Sequence, residues 1–288
     1  MRAIMSALLS PFEITRQVYG EIVEDRVMLI AAGTTYYFLL ALFPGLAAFV
    51  ALYGFFADPA TVADQLAFLE GFTPAASLAL ISDQLQQLAG QRTQVLSLTF
   101  ASGLIVALWS VNVAIKALFE AMNIAYGEVE QRGFFLRSLL SLVFTLGAMG
   151  IGVLLITAVG IVPTILALVN LQGAPEILLK LARWPLLLAA VSAGITLVYR
   201  YGPSRPAAKR RWLTWGASLS TLVWISASLG FSFYLENFAD FNATYGALGA
   251  AVGLMVWVWI SVVILIVGAE LNAVLERRRE QATEPSAL

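Results

Sequence analysis

Glu270 is the acid whose position in the sequence most strongly suggests chemistry. It lies inside a long apolar stretch, about two helical turns before the basic cluster Arg277–Arg279. A carboxylate within a membrane span is costly, so it usually has a partner or marks an ion pathway. Lys116 lies near the corresponding end of another apolar stretch. We predict that Glu270 pairs with Lys116 or with a basic residue of Arg205–Arg211. The alternatives are a proton- or cation-binding acid in a transport pathway and an acid that reaches the lipid headgroups.

Three further residues inside apolar stretches complete a candidate substrate or ion pathway. Asn112 is predicted to hydrogen-bond across helices, with a substrate contact as the alternative. Trp109 is predicted to pack in the core or to line a cavity for a lipid-like substrate. Asn272 follows Glu270 by two residues. The candidate pathway therefore comprises Glu270, Asn112, Lys116, Trp109 and Asn272.

Two features of the backbone are also predicted from small and cyclic residues. Pro44 and Gly45 lie within an apolar stretch and predict a break in its hydrogen-bond ladder, because proline has no N–H to donate. Gly249 and Gly253 form a GxxxG spacing, with Gly246 one turn earlier. Small residues at this spacing let helix backbones approach closely, so we predict packing within the monomer, with a dimer face as the alternative.

The amino-acid composition removes several kinds of catalytic site. The chain has no Cys and no His, which excludes thiolate nucleophiles, Cys/His zinc sites and His general bases. Carboxylate-based metal chemistry remains open in principle, but the sequence has no paired-carboxylate or nucleotide-binding motif. We therefore predict no enzyme activity, no cofactor and no metal site. With no basic groove in the pattern, we expect no nucleic-acid partner.

The same composition predicts an all-α membrane bundle. Of 288 residues, 60% are hydrophobic and 12% are charged, and the mean hydropathy is +0.83. Soluble domains usually carry about 25% charged residues. About 20 apolar residues cross a bilayer as a helix. Six stretches meet this length: Ile30–Phe56, Val95–Leu118, one within Leu136–Leu168, Leu178–Tyr199, Leu213–Leu235 and Ala247–Leu275.

Lys and Arg are distributed very unevenly between the segments that connect these stretches. Of the 17 basic residues, only Arg92, Lys180 and Arg183 lie in the segments predicted to be outside. The positive-inside rule therefore places both termini in the cytoplasm of a multi-pass bacterial inner (plasma) membrane protein.

The chain is predicted to form a single membrane domain over residues 1–288. Residues 11–25 form an amphipathic interfacial helix, with a helix packed on the cytoplasmic loops as the alternative. Residues 57–94 form a periplasmic helical hairpin. Residues 276–288 form a cytoplasmic tail.

Four segments of the chain stand out together: Ala31–Tyr37 with Leu42–Pro44, Leu118–Arg132, Asn242–Gly249 and Gly268–Ala273. Together they resemble the YihY/BrkB family of bacterial inner-membrane proteins. The resemblance covers most of residues 20–276 and implies about six spans. Members are described as transporters or virulence-associated membrane proteins, and some carry an old ribonuclease label that the residues here do not support. The family implies no catalytic residues.

From these residues we predict a transporter or flippase-like protein for an amphipathic envelope metabolite or lipid. The alternative is a non-transporting scaffold for envelope assembly, and a membrane enzyme is the least favoured. Membrane lipids are the expected partners, and the sequence does not predict an oligomeric state. A cavity lined by Asn112, Trp109 and Glu270 would favour transport, whereas a solidly packed bundle would favour the scaffold.

Overall fold

The described part of the chain is built entirely from α-helices. A computed structural model describes residues 11–53, 98–169, 174–205, 214–237 and 249–283. The predicted hairpin at 57–94 lies outside these ranges. The helices are α1 Pro11–Glu24, α2 Val27–Tyr53, α3 Leu98–Ala125, α4 Phe134–Val169, α5 Ala174–Tyr201, α6 Trp215–Asn237 and α7 Gly249–Thr283. Helices α2–α7 follow the six predicted apolar stretches in order, which confirms the predicted helical membrane bundle.

Length and apolar composition identify the helices that could cross a bilayer. Within the described residues, four helices qualify, or five if the bent pair α1–α2 is one span. The four are Ile105–Ala125 in α3, Phe134–Ile151 in α4, Trp215–Leu235 in α6 and Ala251–Ala282 in α7. A shorter apolar stretch, Leu188–Tyr201, lies in α5. A count of six spans stays a prediction.

Helix α1 is amphipathic and ends in a sharp turn. Arg26 has a φ of 50°, a left-handed conformation that is uncommon for a residue with a side chain. The turn bends the chain by 59° between α1 and α2. Phe12, Tyr19 and Val23 remain exposed on α1, as expected for a helix that rests its apolar face on lipid. Other residues of α1 contact α7.

Helices α2 and α3 make the most extensive helix–helix contact in the described chain. Helix α2 continues through Pro44 and Gly45, so the helix does not end at these residues. Pro44 still has no N–H to donate, and the predicted break in the hydrogen-bond ladder stays a prediction. Gly45 permits close packing, since a Cβ there would lie 2.9 Å from Cγ2 of Val111 on α3. A buried apolar cluster joins α2, α3, α5 and α7 and includes Ala31, Met122 and Ile266.

Helices α6 and α7 cross tightly at two glycines. A Cβ at Gly216 would overlap the carbonyl oxygen of Gly268, and a Cβ at Gly268 would overlap Ser220 and Tyr199. By contrast, a Cβ at Gly253 would meet no atom within 4 Å. Gly249 is the buried first residue of α7, and Gly246 lies outside the described residues. A packing role for Gly246, Gly249 and Gly253 therefore stays a prediction.

Candidate functional site

One end of the bundle collects most of the described polar side chains that bond between elements. We call it the polar end. It consists of α1, the α3–α4 connection, the C-terminal ends of α5 and α7, and the N-terminal end of α6. At the polar end, α3 ends in two capping hydrogen bonds. The Gly127 N–H donates to Ile124 O at 2.9 Å, and the Glu128 N–H donates to Asn123 O at 2.8 Å. This is a Schellman cap, and Gly127 supplies its left-handed residue with a φ of 64°.

Arg132 fastens the α3–α4 connection to the end of α5. Its guanidinium donates to the carbonyl oxygens of Tyr201 at 2.9 Å and Gly202 at 2.7 Å, and pairs with Glu130 at 2.6 Å. Burial alone would raise the pKa of Glu130, but hydrogen bonds from Arg132 and Asn123 outweigh burial and lower this pKa to about 2. Glu130 is therefore ionised at neutral pH and holds the connection in place.

A second set of bonds joins the segment that follows α5 to α3 and α7. The Ser204 N–H donates to Oδ1 of Asn123 at 2.7 Å. Arg205 pairs with Glu276 at 2.7 Å and lies 4.3 Å from the ring centroid of Tyr126. The side chain of Arg205 is therefore occupied within the protein, although the sequence places it in the basic loop Arg205–Arg211. The remainder of that loop lies outside the described residues.

Asn272 connects three elements at the polar end. Its Oδ1 accepts the N–H of Gly216 at 2.9 Å, and its Nδ2 donates to Tyr126 and to Thr214 Oγ1, each at 3.0 Å. Thr214 Oγ1 also accepts the Ala217 N–H at 3.2 Å, so Thr214 is the N-cap of α6 and Asn272 satisfies a second free N–H of that first turn. Burial raises the pKa of Tyr126 above its ordinary value, so its hydroxyl is neutral.

A pocket of about 280 Å³ opens beside Asn272, between the start of α6 and the end of α7. Its lining combines aromatic and aliphatic surface, hydroxyls, an amide and charges of both signs. The lining residues are Thr214, Trp215, Ser218, Asn272, Leu275, Glu276 and Arg279.

On another face of α7, three carboxylates converge. One carboxylate oxygen from each of Glu21, Asp25 and Glu270 lies within 4.8 Å of the other two. Glu270 is fully buried, and neither of its oxygens has a hydrogen-bond partner in the described chain. Arg277 pairs with Glu21 at 3.0 Å. We call Glu21, Asp25 and Glu270 the carboxylate cluster.

The predicted pairing of Glu270 with Lys116 is wrong, whereas pairing with Lys209, Arg210 or Arg211 stays a prediction because these residues lie outside the described ranges. Lys116 donates to Ser138 Oγ at 2.7 Å and lies 5.0 Å from the ring centroid of Phe134, so it serves the contact between α3 and α4. Arg205, the described residue of the basic loop, pairs with Glu276 instead. Among the described residues, Glu270 converges with the acids Glu21 and Asp25, and Arg277 pairs with Glu21 beside it.

The five residues of the predicted pathway do not line one path. Asn112 donates to Ser138 O at 3.1 Å, which is the predicted bond across helices. Trp109 is 65% exposed on the outside of α3. Lys116 also faces α4, whereas Asn272 lies in the pocket and Glu270 in the carboxylate cluster. A cavity shared by Asn112, Trp109 and Glu270 is therefore not formed by the described residues.

Glu21 and Asp25 are the site residues that sequence reasoning missed. Both lie in the predicted amphipathic helix of residues 11–25, and neither is singled out there as a site residue. Their i, i+4 spacing places both on one helix face, but many exposed helices share this spacing. Only the contact of α1 with α7 shows that this pair of acids belongs to a site.

Long apolar helices, a fully buried acid in α7 and a hydrogen-bonded polar end define a polytopic α-helical membrane protein. The chain belongs to the family described as Virulence factor BrkB, whose model matches residues 18–287. This confirms the predicted resemblance.

Three similar proteins come from bacteria. The chain is 31% identical to the Bacillus subtilis protein YfkH, named ribonuclease-like, with 88% of this chain and 92% of that protein covered. It is 29% identical to a UPF0761 membrane protein of Alkalilimnicola ehrlichii, covering 88% of this chain but only 56% of that protein. It is 25% identical to a UPF0761 membrane protein of Vibrio vulnificus over 93% and 84% of the two chains. No solved structure matches the chain.

Proposed function

We propose that this membrane protein transports an amphipathic envelope metabolite or lipid, in the manner of a flippase. The observation that carries the proposal is the pocket beside Asn272. Its lining offers Trp215 and Leu275 as apolar surface and Glu276 and Arg279 as charges. Such a lining suits a ligand with a polar head and an apolar tail.

The size and place of the pocket support the same substrate class. A volume of about 280 Å³ is near the lower limit for small-molecule sites, so it fits a headgroup rather than a whole lipid. Exposed Trp215 lies at the end of the apolar window Trp215–Leu235, where aromatic residues mark the boundary between lipid and water. A lipid tail could remain in the bilayer while its headgroup enters the pocket.

A scaffold without transport is the second candidate, and the packing of the tryptophans favours it. Trp224 donates to Ser261 Oγ at 2.9 Å, and its ring lies 5.9 Å from that of Trp257. These residues join α6 to α7 instead of lining an open path. A lipid bound in the pocket of such a scaffold would be a static partner.

A lipid-scrambling assay separates the two candidates. The purified protein is reconstituted in vesicles that contain NBD-labelled phosphatidylglycerol, and dithionite is added outside to quench the outer leaflet. Transport predicts quenching beyond the outer-leaflet fraction, because inner-leaflet lipid reaches the outside. Ser218→Phe, which fills the pocket, should abolish the excess. Ser226→Phe, on the exposed side of the same helix, should retain it.

Excess quenching by the Ser218→Phe variant would contradict the pocket as the route. If the wild-type protein gives no excess with this probe and retains no amphipathic molecule in native mass spectrometry, the scaffold is favoured. We also expect no RNA cleavage by the pure protein, because the chain has no His and its pattern of basic residues forms no groove for RNA. Cleavage that co-elutes with the protein and is lost on a point mutation would refute this expectation.

A further inference from the structure

The carboxylate cluster is a second site, separate from the pocket. Glu270 and Asn272 are two residues apart, which corresponds to about 200° of rotation on an α-helix. Asn272 contacts α6 and the end of α3, whereas Glu270 meets Glu21 and Asp25 beside α1. The two sites therefore lie on opposite faces of α7.

The cluster as described lacks enough positive charge. Three carboxylates with one guanidinium, that of Arg277 on Glu21, leave a formal excess of two negative charges. Glu270 is fully buried, and no group within the described ranges donates a hydrogen bond to either of its oxygens. An ionised carboxylate in this state is strongly unfavourable unless a cation or proton joins it.

The geometry suits a cation shared by all three acids. Oxygens bound to one Ca²⁺ at 2.3–2.6 Å lie at most about 4.6–5.2 Å apart, and the cluster oxygens lie within 4.8 Å of one another. A proton is shared by two carboxylates only, whereas one cation can contact all three. Carboxylate oxygens are the ligands that Ca²⁺, Mg²⁺ and Mn²⁺ prefer.

We propose that Glu21, Asp25 and Glu270 bind one divalent cation of the oxygen-preferring class, which ties α1 and the α1–α2 turn to α7. The charge of the cation neutralises the excess on the cluster. Glu21 and Asp25 are partly exposed, so the cation enters from the polar end and water completes its coordination. The site does not require transport, and a scaffold would bind the cation equally well.

Mn²⁺ binding to the full-length protein in detergent tests the proposal, because free and bound Mn²⁺ differ in their EPR signals. We expect about one Mn²⁺ per chain, displaced by excess Ca²⁺ or Mg²⁺. Glu270→Gln and Asp25→Asn should each weaken Mn²⁺ binding at least tenfold. Glu24→Gln is the matched control, because Glu24 is an exposed acid on the same helix but outside the cluster, and it should bind Mn²⁺ like the wild type.

Thermal unfolding provides a second readout. Millimolar Mn²⁺ should raise the unfolding temperature of the wild type and of Glu24→Gln, since a ligand that binds only the folded state stabilises it. It should leave a folded Glu270→Gln or Asp25→Asn variant unchanged. If Glu270→Gln does not fold, Asp25→Asn decides, because that position is partly exposed.

Two results would overturn the proposal. The first is a wild-type protein that binds no Mn²⁺, Ca²⁺ or Mg²⁺ at millimolar concentration. The second is a folded Asp25→Asn or Glu270→Gln variant that binds Mn²⁺ with wild-type affinity. Neither result depends on the lipid-scrambling assay, so the cation site and the transport function can fail separately.

Discussion

Replacing Asn272 by Ala should destabilise the protein more than replacing Asn112 by Ala, because Asn112 makes a single described hydrogen bond between helices. Asn272 makes three hydrogen bonds, to the Gly216 N–H, the Tyr126 hydroxyl and Thr214 Oγ1. The first is equivalent to a cap on α6, and loss of a cap costs about 1 kcal/mol. Side-chain hydrogen bonds between membrane helices average about 0.6 kcal/mol each. The expected loss of unfolding free energy is about 2 kcal/mol.

Asn112 provides the matched control, because it is an asparagine in a membrane helix with one described hydrogen bond between helices, to Ser138 O at 3.1 Å. Asn112→Ala should cost about 0.6 kcal/mol. At about 2–4 °C per kcal/mol, we expect a fall of roughly 4–8 °C in unfolding temperature for Asn272→Ala. The corresponding fall for Asn112→Ala is roughly 1–2 °C.

The measurement is thermal unfolding of both variants in one detergent at one protein concentration, followed by tryptophan fluorescence. The larger shift must belong to Asn272→Ala. Equal shifts, or a larger shift for Asn112→Ala, would refute the assignment of Asn272 as the connection between α3, α6 and α7.

Three other predictions concern packing, pH and topology. Gly268→Ala should lower stability by about 1–3 kcal/mol or prevent folding, because its Cβ would overlap Ser220 and Tyr199. Gly253→Ala should be tolerated, and equal behaviour of the two variants would contradict the tight crossing. The pKa of Glu130 is depressed to about 2, so its stabilisation is present above about pH 4.5 and is lost as pH falls towards 2. In the Glu130→Gln variant the unfolding free energy should therefore depend less on pH in this range. An unchanged dependence on pH would argue against the ion pair with Arg132. A cysteine tag in Arg205–Arg211 should be protected from an impermeant reagent added to intact cells, whereas a tag at Gly71 should be labelled. The reverse pattern would refute the predicted orientation.

Hydropathy predicts the order of the helices well but misses how far they extend. The second apolar stretch is predicted to end at Leu118, whereas α3 continues to Ala125. The added turns contain Glu120 and Asn123, polar residues that a search for apolar length excludes. Likewise, α7 continues to Thr283, into the predicted tail. These polar extensions build the polar end, so the pattern that identifies spans omits the part of each helix that carries the site.

The sequence also predicts how deep a residue lies in the membrane better than it predicts the direction in which its side chain points. Glu270 and Lys116 lie near the same end of their helices, which motivates the predicted ion pair. Their depth does not specify the rotation of each helix, and Lys116 faces α4 while Glu270 faces α1. A one-residue change of register turns an α-helical side chain by about 100°. Partners across a bundle therefore follow from packing, which apolar length alone does not encode.

Helix α1 is a second case in which the sequence pattern does not predict which helix a side chain contacts. An amphipathic pattern divides the side chains of α1 between lipid and water, and this places Asp25 in water. The 59° bend after α1 instead creates a third environment, the contact with α7. Asp25 and Glu21 enter it together with Arg277. A chain without His or Cys has mainly carboxylates with which to bind a cation, and here they come from segments about 245 residues apart. The contact of α1 with α7 therefore completes the carboxylate cluster, and it covers the face of α7 that lies opposite the pocket.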